Sequence, residues 1–216
     1  MIISPGRNYI FVHIPKTGGT SLALALEGRA MKDDIMLGDT PKAVKRRRRL
    51  KDAQTRGRLW KHSTLSDIEG LVSPEQVAEM FIFTLVRNPW DRMVSYYHWL
   101  REQGFDHDAV RKAKAMDFSG FLNDPGIGRS FQANPYEQYV KNSAGVRQRA
   151  VFIRLEHFEH DAEPLWQHLG FKLQLPHENA SERVRDYRSY YSEADSQRLA
   201  TICRKDIASF NYQLNA

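Results

Sequence analysis

Between Phe11 and Leu26 the chain reads FVHIPKTGGTSLALAL. A short β-branched and aromatic run stops at a proline, passes through Lys-Thr-Gly-Gly-Thr-Ser, and continues as a run of good helix formers. So abrupt a change of period predicts a buried strand, placed over Asn8 to Ile14, feeding directly into a helix. The pattern recurs. MFIFTLV, Met80 to Val86, runs into RNPWDRMVSYYHWL, where Asn88 suits the N-cap, Pro89 the first helical position and Asp91 the first turn. AVFIRLEHF, Ala150 to Phe158, gives a third strand, followed by a helix through about Leu169. Strands that alternate with helices need crossover connections, which predicts an α/β fold with a mostly parallel central sheet flanked by helices. Ligands of such sheets bind at the carboxyl ends of the strands.

Other segments fill out this frame. SPEQVAEM carries a capping box, with Ser73 as cap, Pro74 at the first helical position and Gln76 reaching back. Residues 31 to 60 are polar and basic and predict an irregular or helical excursion. SEADSQRLATICRKDIASF predicts one long amphipathic C-terminal helix. No repeat and no Pro, Gly or Ser-rich linker divides the 216 residues, and an apolar fraction of 41% suffices for a core, so a single domain over 1–216 is expected. Cys203 is the only cysteine and is expected to be a small buried residue, without a disulfide or a cysteine zinc site.

The first junction has the chemistry of an anion site. A helix N-terminus offers unpaired N–H groups and the positive end of the helix dipole. Lys16 adds a full charge, Gly18 and Gly19 permit close approach and positive φ, and Thr17, Thr20 and Ser21 add hydroxyls. It is not a Walker A loop, in which the lysine follows the second glycine. Two readings stay open at this point: a phosphate cradle, or an ordinary tight turn with Lys16 solvated.

The second junction supplies a second cation. Arg87 ends the strand, and Ser95 lies in the second turn of the next helix, roughly 9 Å along its axis from Pro89. An arginine fork and a hydroxyl so placed can converge on another phosphate group. Alone, Arg87 would read as satisfying helix carbonyls or a surface acid.

Taken together, HIPKTGGTSL and FTLVRNPWDRMVSYYHWL resemble the two cofactor motifs of sulfotransferases that use 3'-phosphoadenosine 5'-phosphosulfate (PAPS). The resemblance is nearest to the carbohydrate branch with heparan sulfate 2-O-sulfotransferases and small bacterial relatives, and it implies the P-loop-like fold of that family. By matching position it gives Lys16, Thr17, Gly18, Gly19, Thr20 and Ser21 to the 5'-phosphosulfate, and Arg87 and Ser95 to the 3'-phosphate. KHSTLSDIEGLVSPEQVAEMFIF resembles the segment that leads from the family's catalytic histidine into the second motif. FIRLEHFEHD, LPHENASERVRDY and KDIASFNY resemble its C-terminal half more faintly, and only the two cofactor motifs are specific.

The implied reaction moves a sulfuryl group to a hydroxyl by in-line displacement, with PAPS as donor, adenosine 3',5'-bisphosphate (PAP) as product, and no metal required. Positioning and electrostatics carry such a transfer. Lys16 is suited by type to stabilise the leaving oxygen. His62 is selected as general base because it falls in the segment resembling the family's histidine region, and a surface or capping role is its alternative. His13, beside the cradle, reads as structural and His98 is left open. Asn179, Ser181 and Arg183 form either a solvated loop or a closure over the nucleotide. The aromatic residues Trp90 and Tyr97 read as core or as an adenine stack.

Basic residues exceed acidic ones by 32 to 26, and Lys42 to Arg58 alone holds nine Lys or Arg against one acid. The run Lys45 to Lys51 has three readings: a solvated helix face, a surface for an acidic glycan or lipid-linked acceptor, or a nucleic-acid contact for which no recognisable fold motif exists. No apolar run reaches the roughly 18 to 20 residues of a membrane span, so the expected protein is soluble and cytoplasmic. Two rival functions share the cradle: a P-loop-like nucleotide kinase needing magnesium, and a noncatalytic nucleotide or polyanion-binding module. Acceptor identity and oligomeric state are not legible.

Overall fold

A computed structural model describes residues 1–175 and 184–215. In chain order its elements are β1 (Ile2–Ser4), β2 (Tyr9–Val12), α1 (Gly19–Gly28), β3 (Ile35–Met36), α2 (Pro41–Arg47), α3 (Pro74–Glu79), β4 (Phe81–Val86), α4 (Pro89–Arg101), α5 (Asp108–Ala115), α6 (Phe118–Asn123), α7 (Pro125–Ala133), β5 (Ala150–Arg154), α8 (Phe158–Asp161), α9 (Glu163–Leu169), α10 (Glu193–Ile202) and α11 (Arg204–Phe210). The described residues form two compact units, one from Met1–Val86 and residues 136–175, the other from Arg87–Pro135 and residues 184–215.

The first unit holds a five-stranded sheet in the order β3-β1-β2-β4-β5. β2 pairs in parallel with β4, and β4 with β5, through Phe11↔Phe83 and Phe83↔Val151. β1 is antiparallel to β2, through Ile2↔Phe11, and to β3, through Ile2↔Met36. Only β1 therefore runs against the other four. The α/β architecture is the expected one, and β1 and β3 are additions to it, too short for the period of their side chains to reveal.

Alternation along the strands explains the core. Phe11, Phe83, Leu85 and Ile153 join Leu22 and Leu26 of α1, and Leu165, Trp166 and Leu169 of α9, in one buried cluster. The intervening residues Ile10, Val12, Ile82 and Val86 are buried as well, as in a sheet covered on both faces. Thr84 is the polar exception, and its hydroxyl donates to the Val12 carbonyl at 2.7 Å. The parallel register sets the carboxyl ends of β2 and β4 side by side.

The second unit is helical in its described residues. Asn88 caps α4 by accepting from the Trp90 N–H, and Pro89 opens the helix as expected. Trp90 and Tyr97 are 5% and 2% exposed. The Trp90 indole donates to the Ser196 carbonyl and the Tyr97 hydroxyl to that of Met116, which accounts for both as core. Asp195, buried at the start of α10, accepts from Ser119, Asn123 and Ser192. The single long C-terminal helix is corrected. α10 stops at Ile202, and Cys203, buried and at φ −100° and ψ 21°, turns the chain before α11 starts at Arg204. No Gly or Pro marks this break in the sequence. Among the described residues no helix is long and apolar enough to cross a membrane.

Candidate active site

The cradle grows out of the end of β2. Thr17 is 1% exposed and its hydroxyl donates to the Ile14 carbonyl at 3.0 Å, closing the turn from inside. Its hydroxyl thereby serves the loop, and the expected phosphate donor at this position is narrowed to the backbone N–H. Lys16 at φ 64° and Gly18 at φ 83° both take the left-handed conformation. For a lysine this is strained backbone of the sort found where a loop is shaped for a ligand.

Gly18 is also the N-cap of α1 and makes no side-chain capping bond, and no acid lies in the first turn. The helix therefore starts with backbone donors that its own side chains leave open, with Thr20 exposed and Ser21 half-buried beside them. Uncapped N–H groups, positive φ and a lysine fit an anionic group such as a nucleotide phosphate.

Two close approaches fix this loop in the sheet. A Cβ on Gly18 would come within 2.9 Å of the Leu155 side chain, just beyond β5. A Cβ on Gly19 would collide with the His13 ring, reaching 2.7 Å from its Nε2. Each glycine thus has a steric reason besides its backbone angle. His13 is 6% exposed, stacks on Phe11 at 5.7 Å, and meets the His62 ring edge-on at 4.7 Å.

His62 therefore stands one ring away from the cradle. Its Nδ1 lies 2.7 Å from the main-chain oxygen of His13. A carbonyl only accepts, so Nδ1 carries the proton and Nε2 keeps its lone pair. Burial drives the His62 pKa down to about 4, with Lys61 and the N-terminal amine adding to the drop and the His13 carbonyl opposing it. The ring is neutral at physiological pH and presents Nε2 as a proton acceptor. His13 is held well below its usual range, first by burial and then by neighbouring positive charges that include Lys16. Trp60 stands edge-on to His62 at 5.0 Å.

In the second unit, Arg87 Nε and Nη2 donate to one oxygen of Asp91 at 2.8 and 2.6 Å, with both side chains largely buried. Ser95 is 7% exposed on α4. Asn179, Ser181 and Arg183 lie outside the described residues.

The structure thus brings Lys16 to Ser21 and His62 into one neighbourhood and places Arg87 and Ser95 on the strand-to-helix junction of the other motif. Sequence reasoning passed over His13 as the link between base and cradle, Asp91 as the clamp on Arg87, and Trp60. The i,i+4 spacing of Arg87 and Asp91, and the spacing Trp60-x-His62, were the available signals.

The basic run has a role that sequence reading did not weigh. Arg46 donates to the carbonyls of Met31 and Asp34, Arg47 to that of Gly38 and Arg49 to that of Lys32, at 2.7 to 3.0 Å. Lys42 reaches the Glu27 carbonyl at 2.5 Å. These side chains staple the loop that follows α1 to α2 and the turn after it.

Comparison with known proteins agrees with this architecture. The crystal structure of mouse sulfotransferase SULT7A1 complexed with PAP superposes with a TM-score of 0.54 at 16% identity, covering 97% of this chain and 87% of that one. At that identity the likeness concerns the fold. No curated protein matches the sequence. The profile described as "Sulfotransferase family" matches residues 1–213, nearly the whole length, and on that match the chain belongs to the sulfotransferase family.

Proposed function

We propose that this sulfotransferase takes its sulfuryl group from PAPS and delivers it to a hydroxyl of a carbohydrate-type acceptor, with His62 as general base. The observation that carries the reading is the arrangement of the uncapped start of α1 beside a histidine whose Nδ1–H is committed to a carbonyl. The donor supplies an activated sulfuryl group. In the residue roles we assign, the backbone N–H groups of Gly18 to Ser21 hold the 5'-phosphate, and Arg87 and Ser95 hold the 3'-phosphate. His62 Nε2 takes the acceptor's proton as its oxygen bonds to sulfur, while the bond from sulfur to the phosphate oxygen breaks and its electron pair stays on the phosphate. The Lys16 ammonium stabilises the charge developing on that oxygen.

Isothermal calorimetry tests the reading. PAP is expected to bind without magnesium and ATP much more weakly. Magnesium-dependent binding of ATP with none of PAP would replace the proposal with a kinase. Transfer of label from PAPS to no hydroxyl acceptor, with PAP still bound, would leave a nucleotide-binding module.

A further inference from the structure

Trp60 is 43% exposed, among the larger apolar side chains that the fold leaves open. It is not placed on a loose loop. Ser63, fully buried, sets its hydroxyl 2.9 Å from the Arg58 carbonyl and 3.0 Å from that of Trp60, and accepts the Trp60 N–H at 2.9 Å. The turn from Arg58 to Ser63 is therefore fixed from within, so an exposed indole here loses little entropy on meeting a ligand.

Its neighbours give the exposure a direction. On one side the ring meets His62 at 5.0 Å with an interplanar angle of 88°. The Arg58 guanidinium stands 5.8 Å from the indole centroid and is itself exposed, with no carboxylate partner among the described residues. Lys61 pairs with Asp39 at 2.8 Å, and Arg47 reaches the same carboxylate at 3.7 Å. Asp39 is thus matched by two cations, and Arg58 adds a further positive charge beside the indole.

From this juxtaposition, which rests on the reading of His62 as the base, we infer that Trp60 and Arg58 form the acceptor platform. The indole packs against the flat face of a hydroxylated ring, and Arg58 pairs with a negative group on that ring. The acceptor chemistry selected is a ring that bears both a hydroxyl and an anionic substituent. A uronic-acid sugar and a hydroxylated aryl acid share that chemistry. Small open-chain alcohols lack the flat face, and neutral rings lack the partner for Arg58.

Two probes in the presence of saturating PAP distinguish the sources: a hyaluronan tetrasaccharide and 4-hydroxybenzoate, with maltotetraose as the neutral control. Binding by calorimetry is expected for at least one anionic probe. Trp60→Ala is expected to weaken it about tenfold, and Trp60→Phe to restore it to within about threefold. Arg58→Gln is expected to erase the preference over maltotetraose. Binding of the tetrasaccharide alone identifies a saccharide platform, and of the benzoate alone an aryl one. The inference is overturned if the wild-type protein binds neither anionic probe, or if Trp60→Ala and Arg58→Gln bind them as the wild type does. PAP binding is read in the same experiment: its loss strikes the donor-site reading, whereas normal PAP binding without either probe strikes the platform alone.

Discussion

His62 Nδ1 lies 2.7 Å from the backbone oxygen of His13, the residue whose ring fills the space under Gly19. One residue therefore orients the candidate base through its main chain and supports the cradle through its side chain. Removal of the base should separate chemistry from binding. His62→Ala is expected to lower the rate of transfer by about 10²-fold or more while PAP affinity stays within about threefold. An active variant with normal rates would take His62 out of the mechanism.

Gly19→Ala tests the interlock. The new methyl group meets the His13 ring, so a loss of about 1–3 kcal/mol is expected in a denaturant titration. The His62 ring resonances should move in the same variant, although residue 19 is not what His62 touches. His13→Ala combined with Gly19→Ala is expected to recover part of the stability, because the cavity and the methyl group offset one another. Strict additivity of the two changes would show that they do not share this space.

Acid should weaken the fold through the histidine pair. The His62 pKa is depressed from 6.5 to about 4 in the native state, so between these values the unfolded chain binds more protons than the folded one. Stability contributed in this way is present above pH 6.5 and is lost as pH falls toward 4, by up to about 3 kcal/mol for His62. His13, lowered for the same reason, acts with the same sign. Thermal melts from pH 7.5 to 4.5 read this directly, and His62→Gln should flatten the slope. An unchanged slope would contradict the burial of the ring.

Lys16→Ala and Arg87→Ala should each reduce PAP affinity by about 10- to 100-fold, the cost of removing a charged donor from a phosphate. Comparison with adenosine 5'-monophosphate separates the two. Arg87→Ala is expected to lose affinity only for the nucleotide that carries a 3'-phosphate, and Lys16→Ala for both. Normal PAP binding by both variants would refute the assignment.

For the arginine run the structure points to stability. Arg46, Arg47 and Arg49 each hold carbonyls of the loop between Met31 and Gly38. Replacement of each by Ser is expected to cost about 1 kcal/mol in thermal or chemical unfolding. A triple variant with unaltered stability would return the run to a solvated role.

What the sequence made legible follows a physical division. The three parallel strands and the two strand-to-helix junctions were readable because β-branched runs, Pro89 and the glycines act locally. The Ser73 capping box and the Asn88 cap were readable for the same reason, since each is satisfied within three residues. The short strands Ile2–Ser4 and Ile35–Met36 were not, because pairing along one edge of the sheet decides them and two or three residues carry no period. The break at Cys203 depends on packing against neighbours. In the site, residue types named Lys16, Gly18 and Gly19, but the link from His13 to His62 spans 49 positions and only folding reveals it.

The start of α1 carries a final implication. A glycine at the N-cap gives up about a few tenths of a kcal/mol relative to a capping side chain and leaves the first amides of the helix open. On the proposed reading those open amides take the donor's phosphate, so the first turn of α1 is completed by the ligand. A capping side chain is shut out at position 18, because its Cβ would meet the Leu155 side chain and φ there is 83°. On the proposed reading, a phosphate of the donor would finish a helix that the chain itself leaves open.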